Sequence, residues 1–205
     1  MATTERPLRR DAEHNRQLIL DAAREVFAEE GLDAGLHVIA KRAGVGVGTV
    51  YRRFPDKEEL IQALFDDRIG EVVGQAETAL EFDDAWEGIR HFLVSVLELQ
   101  ADDRGLYDCI FERGDTERLA TLGRERIAPL VTKLAKRAQE QGTLRKDVAA
   151  FDIGLLRKML GAFVEQTRDW NPDLWRRYLE IVLDGLRAER SGPSPLPGKP
   201  PTQLP

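Results

Sequence analysis

Cysteine is nearly absent. Cys109 stands alone in 205 residues, so no disulfide can close within the chain. Histidine is almost as scarce, and His14, His37 and His91 are too scattered to suggest a metal site with that one thiol. Long hydrophobic runs are missing too. The longest aliphatic stretch, around Phe92 to Leu97, is far short of the roughly 20 residues that cross a bilayer. The opening M-A-T-T-E-R-P-L-R-R has no apolar core of a secretory signal. These absences predict a cytoplasmic chain without a membrane partner. Catalytic groupings are equally wanting. Cys109 with His91 is the only nucleophile-and-base pair to weigh, and nothing in its spacing suggests a geometry; a free cysteine is commonly an inert small hydrophobe. The acid-rich E-F-D-D-A-W-E from Glu81 reads as solvated turns and helix starts. No catalytic residue, metal or cofactor is expected, and the chain is not read as an enzyme.

What is present is helical periodicity. Hydrophobic residues make up 42%, enough for one sizeable core or two modest ones. Ile19, Ala22, Ala23, Val26 and Phe27 form an apolar stripe that ends at Gly31, a residue suited to the left-handed position after a helix. Leu36, Ile39, Ala40 and Ala43 repeat the spacing, and Val47, Val50, Tyr51 and Phe54 repeat it again after Gly44. Two such short helices cannot stand alone, so the three should close one small core around a helix-turn-helix. The residues left outward are His37, Lys41, Arg42, Gly48, Thr49, Arg52 and Arg53, a face suited to phosphates and base edges. From His37 to Lys57 five Lys or Arg stand against one acid, a net +4, in a chain whose net charge is -6. That local excess predicts double-stranded DNA as a partner. A phosphate-cradling reading of G-V-G-V-G fails on context, because the preceding H-V-I-A-K-R-A is helical and Thr49 stands where the third glycine of a dinucleotide fingerprint belongs.

Arg16, I-L-D-A-A from Ile19, Phe27, Gly31, I-A from Ile39, A-G-V from Ala43, G-T-V-Y from Gly48, Phe54 and K-E-E-L from Lys57 together resemble the TetR family of bacterial transcriptional regulators. Two departures matter. The helix caps that usually carry Ser or Thr are Gly35 and Gly46, and the often polar first position of the recognition helix is Val47, which offers only apolar contact, for example to a thymine methyl. Carried over position by position, the resemblance implies phosphate contacts at Arg16, Thr49, Tyr51, Arg53 and Lys57, and base-edge contacts at His37, Val47, Gly48 and Arg52. Tyr51 admits a second role, packing in the small core, and His37 a plain solvated one.

Organisation follows from the breaks. Residues 1–12 read as a basic arm, either mobile against phosphate or simply frayed; 13–57 as the DNA-binding domain; 58–190 as a helical regulatory and dimerisation domain; 191–205 as a disordered proline-rich tail. The expected fold is all-α. Asp56 with Glu59 opens a helix to about Leu80. Further helices are expected from Asp84 to Ala101, Arg104 to Arg113, Thr116 to Gln141 with a bend at Pro129, Ala150 to Asp169, and Pro172 to Glu189. The last two carry more apolar circumference than one core requires. Leu160, Gly161, Val164, Tyr178, Ile181, Val182 and Gly185 are the candidate surface for a homodimer, as the resemblance implies, with an intrachain core as the other possibility. A ligand pocket is expected from Trp86, Phe92, Val96, Tyr107, Phe111, Met159 and Phe163, with His91, Cys109 or Gln166 as polar contacts, for an unknown small, largely apolar effector. The reading is a repressor that binds a pseudo-palindromic operator as a dimer and is released by that effector; the alternative is a helical interaction module without sequence-specific DNA binding.

Overall fold

The computed structural model describes residues 5–102, 121–189 and 196, and every regular element among them is helical. In chain order these are α1 Glu5–Glu30, α2 Leu36–Ala43, α3 Val47–Arg53, α4 Lys57–Glu81, α5 Ala85–Asp102, α6 Ala128–Glu140, α7 Ala150–Thr167 and α8 Leu174–Leu186. The all-α class is thus the one observed. The described chain divides into two compact units, one up to Arg68 and the other formed by Ile69–Asp102 and the described residues from 121 onward. The expected helix from Arg104 to Arg113, the start of the one from Thr116, and residues 1–4 lie outside the described residues, as does the tail apart from Leu196.

In the first unit the α1 stripe behaves as its spacing predicts. Ile19, Leu20, Ala22, Ala23, Val26 and Phe27 are buried, and Gly31 takes the left-handed φ of 76° that ends the helix. Leu36, Ile39 and Ala40 of α2 are buried, as are Val50, Phe54 and the first turns of α4 through Leu60, Ile61 and Leu64. Arg24 of α1 donates to Asp67 of α4 at 2.9 Å, tying the two helices at a half-buried site. One expectation changes: residues 5–12, read as an arm, have helical backbone. Pro7 falls in the first turn, where a missing N–H costs nothing.

The second unit is built on α5. Its Trp86, Ile89, Phe92, Leu93, Val96 and Leu97 pack in one core with Leu134 and Ala138 of α6, Ile153, Leu160 and Val164 of α7, and Trp175, Leu179 and Leu183 of α8. Each such buried aliphatic or aromatic side chain is worth roughly 1.5–3 kcal/mol over exposure. Polar side chains in the last turn of α6 and just after it hold the neighbouring chain ends. Arg137 donates to the carbonyls of Leu80 at 2.6 Å and Phe82 at 2.9 Å, and Gln141 accepts from the Ala85 N–H while donating to the Asp83 carbonyl, both at 2.8 Å.

The bend expected at Pro129 is a π-turn, Gly123–Ile127, lying just before it and closed by the Ala128 N–H on the Gly123 carbonyl. Proline has no N–H to continue the regular ladder. The last helix starts at Leu174, later than expected, because Asn171–Leu174 forms a turn of its own, with the Leu174 N–H on the Asn171 carbonyl at 3.1 Å. It also stops early. Arg187 is extended and pairs with Leu144 in an isolated antiparallel bridge, which takes the chain out of the helix. Among the described residues, no helix is long and apolar enough to cross a membrane.

Candidate nucleic-acid interface

The turn between α2 and α3 is fixed by backbone chemistry. Gly44 takes φ 68°, its N–H reaches the Lys41 carbonyl at 3.3 Å, and the Val45 N–H reaches the Ala40 carbonyl at 3.1 Å. This doubly bonded helix end needs a residue that tolerates the left-handed region. Helix α3 then starts from Gly46 without a side-chain cap, its carbonyl accepting the Thr49 N–H at 2.8 Å. Val50 and Phe54 anchor α3 in the core. At the next start, Asp56 Oδ1 accepts the Glu59 N–H at 2.8 Å, the capping contact expected there.

The outward surface consists of His37 and Lys41 on α2 and Val47, Gly48, Tyr51, Arg52 and Arg53 on α3, all exposed; Thr49 is half-buried. Two of these correct the periodic reading. Val47 and Tyr51 were placed on the core face, yet they are 43% and 51% exposed. They sit beside Val50 around the helix, at the edge of the buried face, and seven residues cannot bury a wider one. Tyr51 is thus half exposed, and its ring is at most partly packed on this core.

The cations divide in a way that sequence does not show. Arg42, expected on the outward face, is turned back onto α1, where it meets Glu25 at 3.0 Å and Glu29 at 2.6 Å. Hydrogen bonding to Arg42, and then its charge, hold the Glu29 carboxyl below the usual carboxylate range, and Arg42 is raised in turn, first by its bond to Glu29. Lys57 donates to the Leu32 carbonyl at 2.8 Å, so one of its donors fixes the loop between α1 and α2. Arg16 lies 3.7 Å from both Glu13 and Asp67, and Arg53 lies 3.8 Å from Glu13. Arg52 donates to the Thr49 hydroxyl at 3.2 Å, which joins a phosphate candidate to a base candidate one turn apart. Lys41, absent from the position-by-position candidates, is exposed and has no ion pair among the described residues; its place one turn after His37 was the signal. The His37 ring folds over Gly35, where an added Cβ would stand 2.6 Å from Nδ1. The imidazole thus occupies the space of the missing cap side chain.

The second unit holds the other candidates, and they do not converge. Trp86, Phe92 and Val96 are buried in the core, and the Arg187 guanidinium lies 4.5 Å over the Trp86 ring. His91 packs on Phe82 at 5.1 Å between centroids, with a buried Nε2 that has no hydrogen-bond partner. Phe163 is half-buried, edge-on to Tyr178 at 4.8 Å. Met159 is 56% exposed and Gln166 is exposed, so these two face outward and do not line an interior pocket in this fold. Tyr107, Cys109 and Phe111 lie outside the described residues. A surface cleft of about 500 Å³ beside Leu144 and Arg145 shares none of the expected residues.

The interface candidates need a similar correction. Leu160, Gly161 and Val164 face their own core, and Gln100 lies so close over Gly161 that a Cβ there would collide with its side-chain oxygen. Tyr178 and Val182 are half-buried, and Ile181 and Gly185 are exposed. The outward apolar line of α7 is Phe151, Leu155 and Met159, spaced by four, of which the first two were missed. Among the described residues, no group of three His, Cys, Asp or Glu is placed to hold a metal ion.

Comparison with known proteins agrees with this division. Residues 19–64 match the model of bacterial regulatory proteins, tetR family, and residues 84–188 match that of the transcriptional regulator SbtR-like C-terminal domain. A solved TetR transcription regulatory protein from Mycobacterium vanbaalenii is 35% identical, with 88% of this chain and 99% of that one covered at a TM-score of 0.69. A TetR transcriptional regulator from Streptomyces coelicolor is 30% identical over 84% of this chain and 98% of its own, with a TM-score of 0.65. An HTH-type transcriptional regulator of Staphylococcus aureus is 30% identical over 105 residues, half of this chain and 57% of that regulator's length.

Proposed function

Because the chain belongs to the TetR family of bacterial transcriptional regulators, whose DNA-binding domain is a helix-turn-helix, we propose that it represses transcription in the cytoplasm as a homodimer on a pseudo-palindromic operator. The observation that carries this reading is the exposed strip Val47, Gly48, Tyr51 and Arg52 on α3, a helix whose opposite duty, burial of Val50 and Phe54, is already met. Gly48 and Val47 let the helix come close to base edges, Arg52 supplies the donor fork that suits guanine, and His37 adds a ring nitrogen. Thr49, Tyr51, Arg53 and Arg16 set the register on phosphates, with Lys57 contributing the donors not used on Leu32.

A second copy follows from the reach of one recognition helix, which contacts too few base pairs for specificity. Phe151, Leu155 and Met159 on α7, with Ile181 and Gly185 on α8, are an exposed apolar surface of the kind that a dimer covers. Pairing of α7 and α8 with their copies would leave Leu160 and Val164 in each protomer's own core. A small, largely apolar effector held in the second unit would release the operator; the partnerless Nε2 of His91 is a polar anchor for it. Such an effector acts only through different affinities for the two conformers, and α4, whose residues belong to both units, is the element through which they would differ.

The test is selection of bound duplexes from a random DNA pool, with the winner titrated against scrambled DNA. The expected winner is palindromic and bound at least about a thousandfold tighter than scramble. Failure to enrich any sequence would overturn the reading in favour of an interaction module.

A further inference from the structure

We infer that Val47 reads the C5-methyl group of a thymine, so that each operator half-site requires a T·A pair beneath the first turn of α3. The inference rests on the operator-binding reading and names one base within it. Eight large apolar side chains are markedly exposed among the described residues, and only Val47 and Tyr51 belong to the first unit. They stand one turn apart on the same short helix. Tyr51 has a hydroxyl to offer a phosphate, but the Val47 side chain has neither donor nor acceptor, so its exposure costs the hydration of apolar surface and gains no hydrogen bond.

The surroundings of Val47 narrow its role. Gly46 and Gly48 flank it, and an added Cβ would meet nothing within 4 Å at Gly48 and only the Thr49 hydroxyl, at 3.8 Å, at Gly46. Neither glycine is crowded by the chain, and neither has the positive φ that would demand glycine. At the start of α3 the valine is therefore the one side chain that projects, and its bare neighbours let a nucleic-acid surface come up to it. In the major groove the thymine methyl is the one apolar feature of a base edge, and residues at the N-terminal end of a recognition helix are those that reach base edges. Valine, stiff at χ1, meets such a methyl with little loss of side-chain freedom.

The experiment replaces each thymine of the selected operator in turn by deoxyuridine, which deletes the methyl and keeps every hydrogen-bonding group. Binding is measured with the wild-type chain and with Val47→Ala, whose helicity and melting are recorded alongside. At one thymine per half-site the wild type should lose about fourfold in affinity, and about fifteenfold when both half-sites are changed, the effect of one buried methyl each. Val47→Ala should melt as the wild type does and show a clearly smaller penalty for deoxyuridine at that position, because only its Cβ remains to meet the methyl. Deoxyuridine tolerated everywhere, or a penalty undiminished in Val47→Ala, overturns the inference while leaving operator binding intact. If the wild type selects no sequence at all, the operator reading fails at the first step and this inference with it.

Discussion

Gly48→Ala adds one methyl group to the second residue of α3, where an added Cβ meets no atom of the chain within 4 Å. Within the protein the change is favourable. Alanine exceeds glycine in a helix by up to about 1 kcal/mol, and about half of that is a fair figure near a helix start. For a chain of this size that raises the melting temperature by roughly 1–2 °C. Against DNA the sign reverses. The methyl stands on the surface that we propose meets the bases, and pushing the helix back by its radius costs about as much as one mismatched pair, roughly 1–3 kcal/mol in each half-site. The variant should thus melt higher and bind its operator at least about thirtyfold more weakly, by differential scanning calorimetry and fluorescence anisotropy on the same preparation. Gly44→Ala is the contrast, because Gly44 has φ 68°. There a side chain costs about 1–2 kcal/mol of strain, so melting and binding should fall together. Undiminished operator affinity in Gly48→Ala would refute the close approach, and a lowered melting temperature would refute the claim that the chain leaves that space open.

Salt dependence counts the cations that meet phosphate. The three per protomer placed on phosphate, Arg16, Arg53 and Lys57, give a log–log slope of about -5 for a dimer, whereas adding Lys41 and Arg42 would give about -9. The Arg42 clamp predicts a pH effect with a definite sign: the Glu29 carboxyl is depressed, so its stabilisation is present above the unfolded carboxylate pKa of about 4.3 and lost as pH falls through the folded value. Arg42→Met should therefore melt below the wild type at pH 7, with a gap that closes as acid protonates the Glu29 carboxylate, and a gap that does not narrow in acid would exclude the ion pair as its cause. Met159→Glu should turn the dimer into a folded monomer by sedimentation, whereas Leu160→Ala, one residue on, should cost about 2–5 kcal/mol of unfolding free energy as a core cavity; the reverse pattern would restore Leu160 to the interface.

The helices were legible because their signals are local. A stripe such as Ile19 to Phe27, the positive φ at Gly31 and Gly44, and the cap of Asp56 on Glu59 each depend on a few neighbouring residues. The start of α8 was not, because Pro172 is as acceptable in a turn before a helix as in its first turn, and its early end depends on pairing between Arg187 and Leu144, distant in sequence. Faces were harder than helices. On α7 an apolar residue stands at Met159 and again at Leu160, and nothing local says which faces the core; the nearness of Gln100 to Gly161 decides it. The same ambiguity placed Val47 and Tyr51 inside, since both lie beside Val50 on the helical wheel.

The charge count shows why the site was less legible than the fold. A net +4 between His37 and Lys57 treats each cation as free, but the partners of Arg42 are Glu25 and Glu29 on α1, outside that window. What remains outward is a smaller cationic set beside an apolar valine and an open glycine. Cations on phosphate give attraction without sequence preference, whereas Val47, Gly48 and Arg52 bear on shape and base identity. Pairing of Arg42 with Glu25 and Glu29 on the surface therefore weakens non-specific attraction and leaves discrimination untouched. In a chain of net charge -6, whose remainder repels DNA, the margin for non-specific binding is narrower still, and more of the total affinity has to come from the bases themselves.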